Sequence, residues 1–182
     1  MKQLSFLPKP RLEHGGSIRT GKRKEARPFD PKRPVHLVLR SERARGPWSM
    51  ATTKNRRLVR ATLESAERRS QTRIYQTANV GNHLHIVIEA PHKKALQTFL
   101  RLAAGQIAFQ ITKAKKGNPQ KFWSQTAYSR VLTWGREFKS VLSYLNLNLL
   151  EGLGVAKRTN RKIEVPEWIL NAGLRIDVGR YG

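Results

Sequence analysis

The spacing of apolar residues changes period several times along this chain, and each change marks an element. Val35, Leu37 and Leu39 alternate with His36 and Arg40, the two-residue period of a short strand. From Lys54 to Arg69 there is neither Gly nor Pro. Leu58, Ala61 and Ser65 fall along one side there, with Leu63 and Ala66 nearby, which predicts a helix with a basic outer face. Two β-rich runs follow, Arg73 to Thr77 and His83 to Ala90. Asn79 to Asn82 forms the turn between them, with Gly81 as the flexible joint, so a hairpin is expected. Pro91 ends the second run. Leu96, Leu100, Ala103, Ile107 and Ile111 then recur at helical spacing until Gly117-Asn118-Pro119 breaks the pattern. A short strand is expected from Tyr128 to Thr133. A last helix should run from about Glu137 to Leu150, with Phe138, Leu142, Leu145 and Leu149 as its apolar stripe.

The two ends lack this order. Residues 1–33 hold ten basic and three acidic residues with four prolines, and the run from Gly21 to Pro34 has too little apolar surface to order itself alone. We therefore divide the chain into a basic arm (1–33), a folded domain (34–154) and a basic C-terminal extension (155–182). Charge sharpens the picture. Lys and Arg number 36 against 12 Asp and Glu, a formal net charge of +24, which points to a polyanionic partner and first to nucleic acid. No cysteine is present, which excludes disulfides, thiolate metal sites and cysteine nucleophiles. No apolar run has the length of a membrane span and no signal-peptide segment is evident, so a cytoplasmic, nucleoid-associated protein is expected.

Two segments carry residues with chemical potential. In "NHLHIVIEA", His83 and His85 lie two apart and leave the same face of a strand, where neighbouring imidazoles can hold a divalent metal. Leu84, Ile86 and Ile88 point the other way, into a core. In the last helix, Tyr144 and Asn148 lie four apart on one face bordering the apolar stripe, so a phenol and an amide oxygen can stand side by side. Each segment alone also has a plain structural reading: paired histidines at a surface or in a core, and a half-buried tyrosine beside a helix-surface asparagine.

Together the segments resemble the single-tyrosine HUH transposases, most closely the REP-associated tyrosine transposases. That family carries His-hydrophobe-His on a strand, here His83-Leu84-His85, and later a helix with a tyrosine followed four residues on by a polar metal ligand. The sequence "YLNLNLLEGLG" is similar to the branch's Tyr-Ile-His-x-Asn-Pro stretch, and Trp123, Tyr128, Arg130 and Phe138 fall at the intervals of its Trp-containing segment. Leu149 stands where the branch has proline. The resemblance implies an α+β fold, a ferredoxin-like antiparallel sheet with packed helices. It implies that Tyr144 is the nucleophile, and that His83, His85 and Asn148 bind Mg²⁺ or Mn²⁺. It further implies cleavage of single-stranded DNA beside a hairpin through a 5′-phosphotyrosine, by a monomer or a homodimer. Tyr128 is a second candidate nucleophile, disfavoured because Leu132, four residues on, cannot ligate metal.

Arg43, Arg45, Arg56, Arg57, Arg60 and Arg130, with the N-terminal arm, are candidates for DNA contact. Trp48, Trp123 and Trp134 are candidates for stacking on unpaired bases or for core packing. The alternative function is a non-catalytic single-stranded nucleic-acid-binding protein. Other phosphoesterases fit poorly, because Val87 occupies the place of a third alternating histidine and no second His-x-Ser/Thr copy exists.

Overall fold

The computed structural model describes residues 12–19, 25–114, 121–152, 157–159 and 162–164. Five strands form one antiparallel sheet: β1 (Glu13–His14), β2 (Val35–Arg40), β3 (Arg73–Asn79), β4 (His83–Glu89) and β5 (Tyr128–Val131). Their order across the sheet is β1-β5-β2-β4-β3. The helices α1 (Thr53–Ser70) and α2 (Lys93–Thr112) follow β2 and β4, and α3 (Arg136–Gly152) follows β5. Without β1, the order β5-β2-β4-β3 with one helix in each crossover is the ferredoxin-like arrangement expected from the sequence. A separate ladder pairs β6 (Lys157–Thr159) with β7 (Lys162–Glu164). The rest of the stretches 1–33 and 155–182, beyond the segments given above, lies outside the described residues.

Strand alternation sorts the sheet into two faces. Val35, Leu37, Leu39, Leu84, Ile86 and Ile88 are buried in a core with Val59, Leu63 and Ala66 of α1 and Leu96, Phe99, Ala103 and Ile107 of α2. The buried side of α1 is Asn55, Val59, Thr62, Leu63, Ala66 and Ser70, so Ala61, expected inward, faces solvent. Thr52 caps α1 by accepting from the Asn55 N–H, and His92 caps α2 by accepting from the Ala95 N–H. The opposite face carries a smaller cluster in which Ala78 and Val87 of the sheet meet Leu145 of α3, with Phe138, Val141 and Leu142 alongside. The third helix therefore lies on the face that carries the odd-numbered residues of β4.

Two features were not foreseen. Part of the N-terminal stretch enters the sheet: Glu13 and His14 pair with Arg130 and Ser129, and Phe29 packs on the core. On β3 the register slips between Ile74 and Gln76. The extra residue leaves both Tyr75 and Gln76 turned toward α3, where the Gln76 amide donates to Asn146 Oδ1.

Candidate active site on the histidine face

The register of β4 against its neighbours fixes the site. Val38 and Ala78 pair with His85 from either side, and Arg40 pairs with His83, so these side chains share the face beneath α3. His85 is the hub. The His36 ring stacks on it at 5.4 Å and 12°, the His83 ring meets it edge-on at 4.8 Å, and the Tyr144 ring meets it edge-on at 5.7 Å. A strand two-residue period and a helix on the same face thus bring together both histidines and the tyrosine singled out in the sequence.

Burial keeps the imidazoles neutral. His85 is 5% exposed, and burial, then the nearby His36 and His83, push its pKa down to about 3. Burial, helped by Arg130, pushes His36 down to about 4. His83 is lowered too, by burial and by Arg40. Neutral imidazole is the ligating form. His36 Nε2 and His85 Nδ1 are 3.2 Å apart, and His83 Nδ1 is 2.6 Å from Asn82 Oδ1. In the tautomer with His85 Nδ1–H donating to His36, the lone pair of His85 Nε2 remains. That atom is buried and has no hydrogen-bond partner. A buried acceptor left unmet is costly, and a cation would satisfy it.

Among the described residues no group of three or more His, Cys, Asp or Glu is placed to hold a metal. A metal here would rest on His83 and His85, with the Asn148 amide oxygen as third donor. Asn148 is 6% exposed, more deeply buried than a residue bordering the stripe would be. Its amide nitrogen donates to the Tyr144 carbonyl at 2.8 Å, which leaves Oδ1 as the end available to a ligand. By their chemistry these donors suit a single divalent ion. They do so with one carbonyl oxygen and two nitrogens, a set that suits Mn²⁺ better than Mg²⁺.

The other singled-out residues divide. Tyr128 lies on the same face but one strand beyond Val38, two strands from His85. Burial and then Glu13, by its charge and a hydrogen bond, push its pKa up to about 12, which disfavours the phenolate a nucleophile needs. Arg130 shares this face and is ion-paired to Glu137 at 2.8 Å and Glu13 at 3.5 Å. Arg56, Arg57 and Arg60 are exposed on α1, on the other side of the sheet. Arg60 pairs with Glu64, and Arg56 donates to the Ala51 carbonyl. Arg43 and Arg45 lie in the loop after β2, which is tied to the turn before His83 by hydrogen bonds from Ser41 and Met50 to the Asn82 and Gly81 carbonyls. Arg43 itself donates to the Lys121 carbonyl. Of the tryptophans among the described residues, Trp48 and Trp123 pack on the core and Trp134 is exposed.

His36 is the site residue that sequence reasoning passed over. The only signal was its place among apolar neighbours on β2, with the parity of Arg40. Nothing local tells that it meets a histidine 49 residues away.

The chain is similar to the solved structure of a REP-associated tyrosine transposase bound to a REP hairpin. The two share 12% identity over 71% of this chain and 73% of that one, with a TM-score of 0.57. A putative transposase from Deinococcus radiodurans R1 matches at 13% identity over 70% of this chain and 98% of that one, with a TM-score of 0.45. Residues 32–145, more than half of the chain, match the family of IS200-like transposases, and the chain belongs to it. No curated protein matches it in sequence. No helix among the described residues is long and apolar enough to cross a membrane.

Proposed function

We propose that this transposase nicks and rejoins single-stranded DNA beside a hairpin through a covalent bond to Tyr144. The observation that carries the reading is the edge-on approach of the Tyr144 ring to His85, at 5.7 Å, on a face with a second imidazole and a buried amide. The phenolic oxygen of Tyr144 attacks the scissile phosphorus, the bond from phosphorus to the 3′-oxygen breaks, and a 5′-phosphotyrosine and a 3′-hydroxyl result. The proton lost by the phenol is matched by the one the 3′-oxygen gains. The new ester keeps the energy of the old one, so another 3′-hydroxyl can reverse the step and join a different end.

His83, His85 and Asn148 would hold Mg²⁺ or Mn²⁺, which supplies Lewis acidity toward a non-bridging phosphate oxygen when bound. His36 engages the Nδ1 side of the His85 ring, which leaves the buried Nε2 to a ligand. The solved relative's complex with a REP hairpin supports hairpin DNA as the substrate class here. Phosphate contacts fall to the exposed Arg43 and Arg45 of the loop after β2, near the turn that leads into His83. A DNA substrate fits an intracellular, nucleoid-associated protein.

The test is to incubate the protein with labelled single-stranded hairpins from the flanks of its own gene, with Mn²⁺ or Mg²⁺, and to look for a covalent adduct on a denaturing gel. A metal-dependent adduct that vanishes in Tyr144→Phe is expected. An adduct that survives in that variant would transfer the nucleophile to Tyr128. Tight binding without any adduct would leave a non-catalytic DNA-binding protein.

A further inference from the structure

We infer that Trp134, with the aromatic side chains that hold it, is a stacking platform for an unpaired base of the DNA strand engaged at Tyr144. This rests on the single-strand reading above. Trp134 is 47% exposed, unlike the two core-packed tryptophans. Its position is nevertheless fixed: the indole N–H donates to the Lys32 carbonyl at 2.7 Å, and the ring lies against Phe138 at 4.8 Å and edge-on to Tyr75 at 5.8 Å. The β-bulge delivers Tyr75 to this spot. A rigid indole that retains so much exposed surface is organised before any ligand arrives, which lowers the entropic cost of stacking.

The charge around it selects the partner. The Arg73 guanidinium lies 5.0 Å from the Tyr75 ring centre, and Arg136 and Lys139 are exposed beside Trp134 and Phe138. Both carboxylates of this corner are engaged, Glu89 by the Tyr75 hydroxyl and Glu137 by Thr133 and Arg130. An aromatic surface ringed by cations suits nucleobases on a phosphate backbone, whatever their sequence. Its position suits the reaction as well. From Arg136 to Tyr144 is about 12 Å of helix rise. At about 3.4 Å per stacked nucleotide that is three to four nucleotides from the reacting phosphate.

Binding to a fluorescein-labelled 20-nucleotide oligo(dT), and to a duplex of equal length, tests this by anisotropy across a salt series. Trp134→Ala should weaken oligo(dT) binding by about 5- to 100-fold. The salt slope and duplex binding should not change, because no phosphate contact is removed. Trp134→Phe should restore most of the loss, with thermal unfolding of all three proteins superimposable. Unchanged oligo(dT) binding by Trp134→Ala would overturn the platform, as would an equal loss on duplex. Failure of the parent protein itself to bind oligo(dT) would instead remove the single-strand reading, and the platform with it.

Discussion

Along β4, consecutive residues work in different media. Leu84, Ile86 and Ile88 meet α1 and α2 in an apolar core, where volume and hydrophobicity decide the outcome. His83, His85, Val87 and Glu89 lie on the opposite face, where His85 and Val87 meet Tyr144 and Leu145 of α3, and there a polar hub is buried with one nitrogen unmet. The first face contributes stability. The second spends some of it, since a neutral, partnerless imidazole nitrogen in a low-dielectric setting is unfavourable until a ligand arrives. The lesson is that two adjacent residues should report on two separable properties.

The sharpest way to break this comparison is to truncate neighbours. Leu84→Ala should cost about 2–5 kcal/mol in denaturant unfolding while the folded fraction keeps its adduct-forming activity. His83→Ala should abolish the adduct and shift stability by no more than about 1 kcal/mol. If both variants lose stability equally, the division between the faces is wrong. Smaller in size is the effect of pH on the metal-free protein. The folded pKa values of His85 (about 3) and His36 (about 4) lie below the ordinary value near 6.5, so the unfolded chain binds more protons between those limits. Stability from these groups is therefore complete above about pH 6.5 and falls as pH drops. Between about pH 6.5 and 5 the loss is about 2 kcal/mol per imidazole. Urea midpoints that stay level over that window would contradict the burial of the pair.

His36→Gln sharpens the same picture from within the site. It should lower Mn²⁺ affinity by about 10- to 100-fold, read by calorimetry or by free-ion electron paramagnetic resonance, because His85 loses the group that orients it. Equal affinity in the variant would show that the stacked ring is only packing. Last and smallest, Arg60→Ala on α1 should change stability by less than about 0.5 kcal/mol, since its pair with Glu64 is solvent-exposed. If it contacts phosphate of single-stranded DNA, the salt slope of binding should fall by about 0.7. An unchanged slope would place α1 off the DNA path.

What the sequence could disclose about the site follows from the range of each interaction. His83 and His85 were legible because a two-residue period is local, and Tyr144 with Asn148 because a helical turn is local. The order of strands and helices was legible for the same reason. The His36 contact was not, because it depends on the β2–β4 register. Nor was the side of the sheet on which the α1 arginines fall: net charge counts them but does not place them. The bulge at Tyr75 and the two-residue β1 left no trace in hydrophobic alternation, since neither repeats a period.

That bulge has a consequence for how molecules of this protein meet one another. A sheet grows when an unsatisfied rim of backbone amides finds another chain, and regular, flat rims invite it. One rim here is β3, kinked at Tyr75 and bearing the exposed charge of Arg73. At the other, β1 offers two residues, and beyond it the guanidinium groups of Arg27 and Arg33 take up the carbonyls of Ala127 and Leu132 at either end of β5. Among the described residues neither rim presents a long, flat template for a neighbour's strand, which disfavours polymerisation through the sheet.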